Sequence, residues 1–312
     1  MKIELVLLLI LHSMLLVRFN PATAQTMLGT ESIEVEMLRP SVGFSFSFEP
    51  RRNFRDVIGS YSLQSNSMDA MIPIIEQWGQ DSKGPSMYTL LVRGAAASIR
   101  PDVSMLNRQH QLYTSSLGLT FGMSTTSRSM YSLTASLGFA EDDKTVEDFH
   151  ARFTGSFLAT YPLDFSSTLL YGLNYSYNFD RELFLPMLGV RWNFSDRWVF
   201  NSLLPFFARV SYQEDRNISV GMALRLHGNR FRFSNEGVFG SEPETISLRV
   251  FETQIGIDAN IRLHETLLLR AELGVMGGRR IGFAFGNDEF LSSCIQSSGY
   301  LTLGAKFLFG GN

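Results

Sequence analysis

From about Leu112 to the C-terminus, apolar residues alternate with small or polar ones in segments of roughly a dozen, each closed by a turn. Strand side chains point to opposite faces in turn, so this period of two predicts strands with one oily face and one polar face. The clearest copy sets Leu169, Tyr171, Leu173, Tyr175, Tyr177 and Phe179 against Thr168, Leu170, Gly172, Asn174, Ser176 and Asn178. The same pattern predicts strands over 112–125, 129–140, 148–161, 167–179, 184–194, 197–212 (with Pro205 inside), 218–227, 230–239, 251–263, 266–275 and 299–309. A soluble sandwich would also alternate, but its strands are commonly five or six residues long with fewer outward aromatics. Segment length and aromatic content therefore predict an all-β fold, a transmembrane antiparallel up-and-down β-barrel.

The connections alternate as well. Those at 126–128, 162–166, 195–196, 228–229 and 264–265 are short, whereas 141–147, 180–183, 213–217, 240–250 and 276–298 tend to be longer or more charged. Barrels of the outer membrane have short periplasmic turns and longer outer loops, so the last strand descends toward the periplasm. Eleven strands with that polarity need an ascending strand before them, supplied by 41–48 or 87–98, which gives about 12 strands. Fourteen follow if both contribute and a further strand, such as 54–63, lies between them. Residues 25–40 read as a periplasmic lead-in, and 41–312 as the barrel. Within it, 49–111 is an irregular region, either a loop or plug or a source of extra strands, in which Met68 to Trp78 suits a short amphipathic helix. Tyr161, Phe165, Trp192, Phe194 and Trp198 fall near the proposed periplasmic turns, with Phe149, Phe179, Phe184 and Tyr212 near the proposed outer rim. Aromatic girdles are expected at both levels.

Upstream, Met1-Lys2 precedes an apolar run from Leu5 to Val17, then Ala22-Thr23-Ala24, which reads as a secretory signal peptide over 1–24. No later run approaches the length of a spanning helix, so entry into a membrane requires a closed barrel. The 27 Lys+Arg and 30 Asp+Glu residues leave a net charge of −3, which gives no footing for nucleic acid. Cys294 is the only cysteine, so no internal disulfide forms and pairing and packing must hold the fold.

The inferred inner face carries Arg152, Arg191, Arg209, Arg225, Arg230 and Arg232, followed by Glu236, Glu252, Asp258 and Glu272, with Arg262, Arg270 and Lys306 among them. Two readings stand. One is a polar conduit or anion site, since Arg pairs with carboxylate and phosphate. The other is an interior filled with salt bridges and hydrogen bonds, preferred for a barrel of about 12 strands. His227 and His264 fall at proposed periplasmic turns, and His110 and His150 near the outer rim. No serine lies in a nucleophile elbow, and no zinc-protease, phosphate-loop or dinucleotide motif occurs. The chain therefore reads as non-enzymatic, a structural or surface-interaction barrel or a narrow channel; the alternative is an enzyme acting on lipid or lipopolysaccharide. No cofactor is called for, and the acidic run around Asp142 and Asp143 reads as a solvated loop rather than a Ca²⁺ site.

The stretches Tyr175 to Asp180, Phe184 to Trp198 and Leu204-Pro205 resemble an uncharacterised family of Gram-negative outer-membrane barrels, over about 112–309. The resemblance implies fold and outer-membrane location and brings no activity. The last strand, Tyr300 to Phe309, looks like the terminal signal read by the barrel-assembly machinery, although Gly310-Gly311-Asn312 follow it. Outer-membrane lipid, lipopolysaccharide and that machinery are the partners so implied.

Overall fold

The computed structural model describes residues 40–309 except 56–58, 82–83, 104–110, 126–128, 143–150, 178–181, 216, 235–244 and 286–287. The signal peptide, most of the lead-in, Phe149, Phe179, His110, His150, Glu236 and most of the acidic run at 141–147 lie outside them. The described residues form β1 (Ser41–Asn53), β2 (Ser60–Asp81), β3 (Gly84–Val103), β4 (Leu112–Ser124), β5 (Met130–Asp142), β6 (Arg152–Pro162), β7 (Ser167–Tyr177), β8 (Glu182–Asn193), β9 (Trp198–Leu204), β10 (Phe207–Gln213), β11 (Ile218–Ser234), β12 (Thr245–His264), β13 (Leu267–Phe285), β14 (Asp288–Cys294) and β15 (Ser298–Leu308).

From β1 to β14 each strand pairs antiparallel with the next, and β15 pairs with β1 from Ser41↔Leu308 to Phe48↔Leu301, closing the barrel. β14 and β15 both lie along β13, at Arg280–Phe285 and Leu267–Met276 respectively, so they occupy one place in the wall. The barrel thus has fourteen strands, the higher of the two expected counts. Among the described residues no helix is long and apolar enough to cross a membrane.

Burial is inverted relative to a water-soluble fold. Leu117, Leu188, Ile257, Leu263 and Leu273 face outward and are more than half exposed, while Asp258 and Glu272 are buried. The outward face carries two aromatic girdles. Phe153, Tyr175 and Phe184 touch at the loop end, with ring centroids 5.8 and 4.6 Å apart. Trp192, Phe194, Trp198 and Tyr212 form a chain at the turn end. Along β8, Phe184 and Trp192 are eight residues apart, about 27 Å of strand and about 20 Å of height at a tilt of about 40°, which suits a hydrocarbon layer.

Several sequence expectations are corrected. Met68 to Trp78 belongs to β2, a strand and not a helix. Its period is hidden because Gln64 and Asn66 face outward toward the loop end, and the register shifts between Pro73 and Ile75. Residues 197–212 are two strands that turn at Pro205-Phe206, where the Phe206 N–H donates to the Leu203 carbonyl over 2.8 Å. Tyr212 therefore pairs with Trp198 at the turn end rather than the outer rim. Gly228 and Asn229, read as a turn, lie inside β11, which pairs with β12 continuously from Ile218 to Ser234. One strand divided and two merged leave the count after Leu112 unchanged, so the polarity of the other strands holds.

The short turns are locally fixed. Between β6 and β7 the Asp164 carboxylate accepts bonds from the Ser166 hydroxyl (2.8 Å) and the backbone N–H groups of Ser166 and Ser167 (2.6 and 2.7 Å). Hydrogen bonding by Ser167 and Ser166 holds its pKa at about 2.

Leu188 lies midway between the girdles. Leu188→Arg is expected to cost about 2–4 kcal/mol, the penalty for a cation at the bilayer midplane. Reversible denaturant unfolding in lipid checks this, and a cost below about 1 kcal/mol would contradict the belt.

The lumen as candidate functional site

β9 and β10 are short. Leu204 pairs with Leu188, and Phe207 with Arg225, so β8 runs on past the hairpin tip from 187 to 182, and β11 from 226 to 234. Beyond the tip β11 makes a parallel bridge to β5, Arg232↔Glu141. This contact divides the loop-end half of the interior. One apolar cluster contains Phe54, Tyr61, Ile99, Leu112, Phe231, Leu248 and Phe283 among others, drawn only from the β1–β5 and β11–β14 side. A second contains Leu158, Leu170, Leu185, Met187, Leu203, Phe206 and Phe207, drawn only from β6–β10. The first fills the bore at the loop end: Leu112, Ile246, Leu248 and Phe283 are at most 1 % exposed.

A buried ionic layer lies beneath that cluster. Opposite Glu252 on β12, β13 carries the pair Gly278-Arg279, and Gly278 has φ +58°. This is a bulge whose first residue is left-handed, a conformation that suits glycine. The bulge moves the inward face of β13 from even positions (Arg270, Glu272) to odd ones (Arg279, Ile281, Phe283). Arg279 is thereby aimed inside, where it bonds Glu49 of β1 and Glu252 (3.3 Å), with its guanidinium 5.4 Å from the centre of the Tyr61 ring. β1 shifts register between Glu49 and Arg52, and the β14–β15 interruption at 295–297 falls at the same level.

Toward the turn end the lumen is polar. Arg209 binds Asp258 through two bonds of 3.0 and 2.5 Å, and Asn260 adds a third at 3.0 Å. Glu272 accepts from Arg225, from the Tyr300 hydroxyl and from Arg270 (2.6 Å). Gly256 and Gly274 make room for the Tyr300 ring, into which a Cβ at either would run. Below these pairs lies a cavity of about 410 Å³ that reaches the turn-end rim at Asp215 and Asn217. Its lining carries Arg93, Arg191, Arg209, Arg225, Arg262, Arg270 and Lys306 against Asp69, Asp215 and Glu272, a positive excess.

Of the residues singled out from sequence, Arg191, Arg209, Arg225, Arg262, Arg270 and Glu272 line this cavity, and Asp258 lies buried beside it. Glu252 belongs to the upper layer. Arg152 stands at the loop end of β6, away from the cavity. Arg230 and Arg232 share a face of β11 with Leu224 and Leu226, opposite Arg225 and His227. His227, expected at a turn, lines the cavity within β11, whereas His264 does sit at the β12–β13 turn, 2.9 Å from the Thr266 hydroxyl. Sequence reasoning missed Arg279, Glu49 and Tyr61. Gly277-Gly278 was the available signal, since paired glycines inside a strand mark a bulge. Among the described residues no cluster of His, Cys, Asp and Glu is placed to hold a metal.

Residues 33–293 match a family model described as Domain of unknown function (DUF6268). The chain belongs to this family. No curated protein matches the chain. Solved structures similar to this DUF6268 barrel include the COG4313 outer membrane channel from Pseudomonas putida F1 (10% identity, TM-score 0.45, covering 87% of this chain and 96% of that one). The TodX monoaromatic hydrocarbon channel, as a deltaS2 mutant, is similar at 9% identity and TM-score 0.42, covering 88% and 90%. The beta domain of the Bordetella autotransporter BrkA is similar at 8% identity and TM-score 0.36, covering 87% and 100%.

Removing one partner from a buried ion pair leaves the other charge uncompensated, whereas replacing all partners by apolar groups is often neutral. Arg279→Ala should therefore destabilise the barrel by about 3–5 kcal/mol, and the triple variant Arg279→Met, Glu49→Leu, Glu252→Leu should recover most of that. Denaturant unfolding of both checks it; equal losses would refute the buried layer.

Proposed function

We propose that this protein is a non-enzymatic outer-membrane channel of narrow bore, closed on its outer side in the conformation described. The short turns and both ends of the described chain share one side, which suits the periplasm. The observation that carries the reading is the change of lumen character with height. A basic, polar cavity opens toward the turn end, and an apolar cluster with a buried ionic layer beneath it fills the loop end. Basic walls in a low-dielectric lumen concentrate small anions, and an apolar constriction excludes water and ions until it widens. A barrel serving only as a surface scaffold would have no use for that asymmetry.

Planar-bilayer recording of the purified protein tests this. Wild type should be nearly silent. The variant Phe231→Ser, Ile281→Ser, Phe283→Ser should give steps at least ten-fold larger, with a reversal potential in a KCl gradient that shows chloride preference. A variant as silent as wild type, or one that prefers potassium, would overturn the proposal.

A further inference from the structure

The wall above the β9–β10 hairpin has an opening. Among the described residues, β8 has no pairing partner on its β9 side from Glu182 to Met187, and β11, once the Leu226 N–H has donated to the Phe206 carbonyl over 3.0 Å, pairs on that side only through the single bridge to β5. Leu188, at the level of the tip, lies midway between the girdles, so the opening occupies the loop-end half of the apolar belt. Pro186 stands on the free edge of β8 and has no N–H to leave unsatisfied there, a placement proline keeps to edges. Irregular backbone at membrane depth is tolerated where it is buried in protein or lines a water-filled cavity.

Around the hairpin tip the inner wall is apolar, whereas nearer the loop end β7 carries buried Asn174 and Ser176 and β11 carries buried Arg230. Phe206 and Phe207 of the tip, each 7 % exposed, pack with Leu170, Met187 and Leu203. Leu158, in the same cluster, also lines the basic cavity. Along β8 the inward face runs Met187, Gly189, Arg191, and along β10 it runs Phe207, Arg209. Apolar surface thus gives way to arginine within two to four residues, about 7–13 Å of strand.

We infer that the opening is a lateral portal for amphipathic anions with one hydrocarbon tail. The tail passes between the bilayer and the apolar wall of β6–β10, gated by Phe206 and Phe207, and the anionic head settles in the basic cavity. This rests on the proposed reading of that cavity as an anion-attracting lumen, but not on whether the axial bore conducts.

Native mass spectrometry of the purified barrel, released from micelles with laurate, 1-dodecanol or citrate, tests the portal. Laurate should be retained at least ten-fold more than either of the others, because only it offers both tail and charge. Leu170→Asn with Met187→Asn should lower laurate retention at least ten-fold, while Leu117→Ser on the lipid face should leave it unchanged. If the double variant does not show the heat-modifiable gel mobility of a folded barrel, Leu170→Phe, which overfills the same wall, should produce the loss. Retention of laurate no better than citrate or dodecanol, or retention unchanged in both wall variants, would overturn the inference. Laurate binding with a silent opened bore would instead defeat only the channel reading.

Discussion

Backbone pairing in a medium without water governs this structure. Each N–H and C=O in the hydrocarbon layer must find a partner within the protein, at a cost of several kcal/mol when it does not. Fourteen strand positions close through β1 and β15 to meet that demand, with the edges of β8 and β11 beside the opening left outside the ladder. The β9–β10 hairpin is too short to serve its neighbours along their whole length, so β11 turns to β5 beyond the tip. The division of the interior follows from that contact. The β1–β5 and β11–β14 side surrounds a narrow, apolar, filled bore, and β6–β10 is left lining a separate wall.

The ionic layer of Arg279, Glu49 and Glu252 lies just below the filled part of the bore, and its position reflects geometry more than charge. Bulges on β1 and β13 and the interruption between β14 and β15 fall together there. Bulges bend strands and raise their twist, which is what a barrel needs where its circumference changes. The same bulge that changes the curvature turns Arg279 inward, and its buried charge is then matched by two carboxylates contributed by different strands.

The lipid-facing half of the code was legible because its chemistry is uniform. Leu169, Tyr171 and Leu173 alternate without a break, and only lipid accepts such a face at that length. Legibility fell wherever the backbone departed from period two. Gly277-Gly278 reverses the inward parity of β13, so 276–298 read as a loop although Arg279 is among the most buried side chains. Pro205 looked like a proline within a strand and is a turn, while Gly228-Asn229 looked like a turn and is strand. Alternation cannot report such points, because a turn and a bulge both interrupt it. The candidate arginines were found where they sit below the bulge, as with Arg191, Arg209 and Arg225. Arg230 and Arg232 were grouped with them, although strand parity puts them on the other face of β11.

The contact between β5 and β11 is the feature on which the two compartments, the filled bore and the lateral opening all depend. Through-space backbone NMR contacts in lipid or detergent report it directly. The account predicts a contact between the backbone protons of Glu141 and Arg232. A ladder from β5 to β6 that continues through Glu141, with no contact to β11, would contradict it.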